Sequence, residues 1–190
     1  MEPTQHYKKQ LFLAPVVALA GVLAIAGCQN KPVHPDEKAA VTNSLNGNNL
    51  GTVSVSQDRD KGVMTLTGDV SSEDQKSQAA VLAKQAAPDY TIADEVGVRP
   101  TGVESQAKSV SSNLDSAIED NYKAAIKGHK NLDDQSIDYS AKNGTLVLTG
   151  SVKTVTQKRE AEKLAKAVPN VQQVVNEIEV KPDKHSSPNA

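Results

Sequence analysis

Gly62-Val63-Met64-Thr65-Leu66-Thr67-Gly68-Asp69-Val70 and Gly144-Thr145-Leu146-Val147-Leu148-Thr149-Gly150-Ser151-Val152 are one pattern written twice, 82 residues apart. Apolar residues recur at even spacing in each: Met64, Leu66 and Val70, then Leu146, Leu148 and Val152. That is the period of a strand with one buried face. The offset holds on working outward. Ile92, Asp94, Val96 and Val98 align with Val174, Asn176, Ile178 and Val180. Ala79, Leu82 and Ala83 align with Ala161, Leu164 and Ala165. Matching blocks in one order mark an internal duplication.

Each copy is read in the same way. A first strand carries Val53 and Val55, or Ile137 and Tyr139, ahead of a turn rich in Asp, Asn and Gly. Lys142-Asn143-Gly144 is a hairpin signal. After the second strand, Ser72 with Gln75 and Thr154 with Gln157 have capping-box spacing. The helices they open carry the stripes Leu82, Ala83, Ala86 and Leu164, Ala165, Val168, and stop at Pro88 and Pro169. An alternating strand closes each copy. A leading helix precedes each. The second is marked by Val110, Leu114, Ile118, Tyr122 and Ile126, flanked by Ala117 and Ala125 and ended by Gly128. The first, around 37–45, has only Val41 and Leu45. The order helix, strand, strand, helix, strand predicts an α+β fold, with two helices on one face of a small mixed sheet in each unit.

The amino-terminal stretch is of another kind. Lys8 and Lys9 precede an apolar run from Leu11 to Ala26, closing in Ile25-Ala26-Gly27-Cys28. A positive start and a short apolar run make a secretory signal. The run is shorter than the ~20 residues a spanning helix needs. A cysteine just after the small pair resembles the lipobox of bacterial lipoproteins. That resemblance implies cleavage before Cys28 and lipidation of its thiol. Each buried methylene adds about 0.8 kcal/mol of membrane affinity, so more than one chain anchors stably. Cys28 is the only cysteine, leaving no internal disulfide to form. By resemblance to lipoprotein sorting in a Gram-negative host, where an Asp after the cysteine favours inner-membrane retention, Gln29 implies the outer membrane.

The expected layout is a signal at 1–27, a lipidated cysteine and flexible tether at 28–36, and a first unit at 37–100. A second unit with a long leading helix follows at 101–181, then a disordered tail at 182–190. The whole chain carries a net charge of −2; less the +1 of Lys8, Lys9 and Glu2, the remainder is −3. No basic excess points to nucleic acid. Aromatics are 3% with no Trp, which argues against stacking on bases or sugars.

Each copy resembles a BON domain, a family named for bacterial OsmY and nodulation proteins. The family has a Gly-hydrophobic-x-Leu-x-Gly-x-Val block and then Val-x-x-Val-x-Asn-x-hydrophobic-x-Val. The second copy meets it with Gly144, Leu148, Gly150 and Val152, then Val171, Val174, Asn176, Ile178 and Val180. The first has Asp94 for the Asn and Tyr90 for the first Val. The Gly usual before that Val is Asn170 in one copy and Asp89 in the other. A lipobox with two such units resembles the dual-BON outer-membrane lipoproteins. The resemblance implies attachment to phospholipid and support of the envelope under stress, without catalysis. OsmY-type relatives are soluble periplasmic proteins; Cys28 sets this chain apart from them.

Candidate residues follow. Lys153, Lys158, Arg159, Lys163 and Lys166 oppose Glu160 and Glu162 around the second helix of the second copy, a net of +3. In the first copy Lys76 and Lys84 balance Glu73 and Asp74. Anionic headgroups attract basic residues at about 1 kcal/mol each, so the second copy is the candidate lipid contact. An ordinary solvated face is the alternative. Gly68 and Gly150 are expected on the inward face of their strands, serving packing or a bulge rather than close approach to a ligand. Asp58-Arg59-Asp60-Lys61-Gly62 has a calcium-loop outline but lacks the third acid and the closing Glu, and is read as a turn. His129 lies just past a helix end, where it favours the helix dipole. No His pair, Cys cluster, Ser–His–Asp set or Gly-rich phosphate loop is present, so no enzyme, metal or cofactor is expected. The expected partner is membrane phospholipid. The rivals are an adaptor for an envelope protein partner and a periplasmic stress chaperone.

Overall fold

A sparse leading helix suffices for the first unit, because both of its stripe residues are fully buried: Val41 and Leu45 of α1, Lys38–Gly47. The computed structural model describes residues 33–182. Cys28, the signal at 1–27 and the tail beyond Pro182 lie outside the described residues. After α1 come β1 (Ser54–Asp58), β2 (Val63–Thr67), β3 (Asp69–Val70), α2 (Glu73–Ala86), β4 (Thr91–Asp94) and β5 (Gly97–Val98). The second unit has α3 (Glu104–Lys127), a single turn α4 (Lys130–Asp133), β6 (Ser136–Lys142) and β7 (Thr145–Val152). It ends with α5 (Val155–Lys166), β8 (Gln173–Asn176) and β9 (Glu179–Val180).

The two sheets share a topology. β1 pairs β2 antiparallel through a tight hairpin, and β4 returns parallel to β2 after crossing through α2. β6, β7 and β8 repeat this through α5. The last strand of each unit is broken at one place. Asp94 Oδ1 accepts from the Val96 amide at 3.1 Å, and Asn176 Oδ1 accepts from the Ile178 amide at 3.2 Å. These side-chain turns redirect the chain into β5 against β3, and β9 against β7.

Both units bury helix stripes against the inward sheet face. Met64, Leu66, Ala79, Ala83 and Tyr90 are fully buried in the first core; Ile118, Tyr122, Leu146, Leu148 and Ala161 are fully buried in the second. Burying one Leu, Met or Ile contributes on the order of 1.5–3 kcal/mol, which lets a core built without Trp hold together. A third, smaller patch joins the units: Val63, Ala93 and Val175, with Val147 against them.

Several expectations need correction. The first half of the α3 stripe is not core: Val110 is 58% and Leu114 43% exposed, and both wall an open cavity. Of the expected flexible tether, Val33–Asp36 are described, and they are docked. Pro35 O accepts from Tyr90 Oη at 2.6 Å and from Gln57 Nε2 at 2.9 Å; His34 N donates to Arg59 O at 3.1 Å. Thr154 and Gln157 form the full capping box, whereas Gln75 reaches past its cap to the Ser71 amide at 2.9 Å. The 58–62 segment, by contrast, is the turn its sequence implies, with Asp58 Oδ1 accepting from the Asp60 and Lys61 amides, each at 3.0 Å.

Candidate functional site

The α5 helix opens on its capping box and then sets its charges by helical spacing. Arg159, Lys163 and Lys166 are four and three residues apart, so they share one face, and all are exposed. Val155, 52% exposed, lies on the same strip. Lys153 is exposed just ahead of the cap. Lys158 departs from this group: it is partly buried and lines a cavity beside β8. Lys166 pairs with Glu162 at 2.6 Å. That hydrogen bond, with a second from Asn176, holds the Glu162 carboxyl below the ordinary glutamate range. The five expected cations therefore do not form one patch. Arg159 and Lys163 are its centre, and Lys166 is partly neutralised.

The two glycines are not on the inward face. Gly68 is exposed and Gly150 partly so. Their φ angles are +117° and +95°, a region L side chains rarely adopt. A Cβ on Gly68 would run into the Thr52 carbonyl oxygen, and one on Gly150 into that of Ser136. The neighbouring strand's backbone fills the space a side chain would need.

The densest polar constellation joins the two units, and the sequence reading passed over it. Thr91 of β4 and Glu95 just after it donate to Gly62 O at 2.8 Å and Leu66 O at 3.0 Å, toward β2. Ile92 and Asp94 therefore face the opposite way, where the sheet ends. The second unit covers that edge. Gln173 Nε2 donates to Ile92 O at 2.6 Å, and Gln173 Oε1 accepts from the Asp94 amide at 2.9 Å. Thr145 Oγ1 donates to Asp94 O. One amide side chain thus imitates a neighbouring strand.

Asn143, at the tip of the β6–β7 hairpin with φ +49°, is the second anchor. Its Oδ1 accepts from Arg99 at 3.0 Å and Ser111 at 2.7 Å, and its Nδ2 donates to Glu95 O at 2.7 Å. Its carbonyl accepts from Lys76 Nζ at 3.0 Å. Lys76, which the charge count set only against the acids of its own copy, is 8% exposed and reaches across to the other unit. Ion pairs rim the seam, Lys61–Glu177 at 2.6 Å and Lys142–Glu95 at 3.2 Å. The Glu177 hydrogen bond holds the Lys61 ammonium above its usual value, against a smaller effect of burial. A signal was present in the sequence. Thr145 and Gln173 stand where the first copy has Val63 and Thr91, so the copies differ on the face turned away from their own helices.

A cavity of about 540 Å³ lies between α2, α3 and the 143–144 and 170–172 turns, walled by Val98, Val110, Leu114 and Val171 with Lys76 and Arg99 among its polar groups. Another, of about 730 Å³, runs along β8. His129 Nδ1 lies 2.9 Å from Ala125 O in the last turn of α3. Among the described residues no group of His, Cys, Asp or Glu could hold a metal ion, and no helix is long and apolar enough to cross a membrane.

Comparison with known proteins agrees with this duplicated architecture. The BON domain model matches residues 37–100 and 114–182. Osmotically-inducible protein Y of Escherichia coli K12 is 28% identical over 133 residues, covering 70% of this chain and 65% of that protein. Two solved structures of CdsD, a structural protein of the type III secretion system of Chlamydia trachomatis, each align with 77% of this chain at 14% identity. They are covered over 98% and 92% of their own lengths, with TM-scores of 0.32 and 0.33, and at that level they add nothing to the assignment. Asn170 explains a departure from the family pattern, because its φ of +67° is the left-handed conformation that a Gly there adopts without cost. With both copies matched by one family model across most of the described residues, the chain belongs to the BON domain family, with two such domains in tandem.

Proposed function

We propose that this protein is a lipid-anchored, non-enzymatic component of the bacterial envelope. It acts in osmotic stress tolerance, and its second BON unit contacts anionic phospholipid. The observation that carries the membrane contact is the exposed strip on α5, where Val155, Arg159, Lys163 and Lys166 share one face. Basic residues near an anionic surface contribute about 1 kcal/mol each. With few aromatic side chains to insert, the contact is electrostatic and salt-sensitive. The stress role is supported by the likeness to osmotically-inducible protein Y. The anchor is supported by the lipobox at Cys28.

Two experiments test this. Labelled palmitate incorporates into the wild type and not into Cys28→Ala. The soluble part, residues 29–190 without signal or lipid, floats with anionic vesicles and not with neutral ones, and loses flotation on Arg159→Ala/Lys163→Ala. No flotation at any composition moves the reading to a protein-binding adaptor. What favours that second reading is β8, the last strand of its sheet, with a cavity beside it.

A further inference from the structure

The chain contains two Asn-Gly dipeptides, Asn46–Gly47 and Asn143–Gly144. Glycine after asparagine leaves the next backbone nitrogen unshielded, so this pair is chemically labile. The Gly nitrogen, on losing its proton, bonds to the Asn side-chain carbonyl carbon. The bond from that carbon to Nδ2 breaks, and ammonia leaves with the proton. Water then opens the cyclic imide at either carbonyl, giving aspartate or isoaspartate. One water is consumed, one ammonia is released, and nothing is oxidised or reduced.

Asn46 and Gly47 are both exposed at the end of α1. Asn143 and Gly144 are held at every reacting atom. The Gly144 amide donates to Asp115 Oδ1 at 3.0 Å, and the Asn143 amide to Asp115 Oδ2 at 2.8 Å. A carboxylate against the nitrogen opposes the deprotonation that starts the reaction. The Asn143 side chain cannot swing, because Oδ1 is fixed by Arg99 and Ser111 and Nδ2 by Glu95 O. Three of these partners, Lys76, Glu95 and Arg99, belong to the first unit. The hold on the side chain through Arg99 and Glu95 therefore exists only while the units are docked, whereas Asp115 and Ser111 restrain the turn from within the second unit.

We propose that Asn143–Gly144 is a spontaneous deamidation site held shut by the docked repeats, so that its conversion irreversibly loosens the seam. Aspartate would place a carboxylate oxygen where Nδ2 now donates to Glu95 O. Isoaspartate would lengthen the main chain by one carbon within a two-residue turn whose flanks, Lys142 and Thr145, are paired. Either product removes a contact that crosses between the units.

The test ages the Cys28→Ala chain at mildly alkaline pH and follows both sites by peptide-mapping mass spectrometry, beside a synthetic peptide of residues 138–148. Asn143 in the folded chain should deamidate at least ~10-fold more slowly than in the peptide, equivalent to an opening cost of about 1.4 kcal/mol. Lys76→Ala/Arg99→Ala should return it toward the peptide rate. Ser111→Ala, which removes one donor from a helix surface, should raise it by a smaller factor even where the double variant fails to fold. Equal rates in chain and peptide, or a slow rate unchanged in Ser111→Ala, would overturn the restraint. Aged protein deamidated at Asn143 should melt in two transitions where fresh protein melts in one. A single unshifted transition would overturn the loosening.

Discussion

Asp94→Asn should stabilise the protein at neutral pH, and the second repeat shows why. Its counterpart Asn176 accepts from Ile178 N through Oδ1, as Asp94 accepts from Val96 N. Asn176 also donates through Nδ2, to Lys158 O at 3.2 Å and to Glu162 at 3.1 Å. The residue aligned with Lys158 is Lys76, so the repeat predicts its carbonyl as the acceptor in the first unit, and an ionised Asp cannot donate to it. Burial pushes the Asp94 carboxyl above its ordinary value of 3.8, while the Val96 hydrogen bond and Lys76 pull less strongly the other way. A raised folded value means that the fold holds the proton better than the unfolded chain does. The stability this gives is full below the ordinary aspartate value and is lost as pH rises through the raised one. At neutral pH the wild type carries that cost and the variant does not. One new hydrogen bond contributes about 0.5–1.5 kcal/mol, and partial exposure discounts the charge effect, so the expected gain is about 1 kcal/mol. Urea unfolding at neutral pH and again below pH 3.8 measures it. Protonated Asp94 can donate as Asn does, so the advantage should vanish in acid. A variant less stable at neutral pH, or one equally advantaged at both, refutes the reasoning.

Gly150→Ala should destabilise by about 2 kcal/mol or more in thermal or urea unfolding, from positive-φ strain and a displaced Ser136 carbonyl. Gln173→Ala leaves Ile92 O and the Asp94 amide uncovered, costing about 2 kcal/mol; hydrogen exchange at the Asp94 amide should accelerate while that of Leu148 does not. Glu177→Gln removes a rim ion pair and should cost no more than about 1 kcal/mol, with the difference shrinking as salt is added. The Lys61 contribution is present below the ordinary lysine value of 10.5 and fades as pH climbs through its raised value.

The elements inside each unit were legible because each obeys a local rule. Alternation at Met64 and Leu66 places a half-buried strand, a Thr154–Gln157 spacing places a helix start, and a duplicated pattern checks each assignment against its twin. What escaped was anything set by packing between units. Lys76 carries no mark distinguishing it from Lys84, yet one crosses the seam and the other caps Pro88 O and Tyr90 O within its own unit. Val110 and Leu114 fit the helical stripe as well as Ile118 does, but the stripe says nothing about which of its residues wall an open cavity. Gly68 keeps the parity of inward residues, and only its backbone angle removes it from that face. The five cations on and beside α5 were joined by a net-charge count alone, which could not foresee that Lys158 turns toward β8 while Arg159, Lys163 and Lys166 share an exposed face.

The covering of the β4 edge has a historical consequence. A freshly duplicated unit would have left two alike sheets, each with an unpaired strand open to association with other chains. Gln173 and Thr145 closed one of these edges, and their twins Thr91 and Val63 carry no side chain able to return the favour. The copies are thereby no longer interchangeable: one has become the lid of the other. Losing the later copy would reopen the earlier one's edge, so a lineage that acquired this pair must inherit both halves or neither.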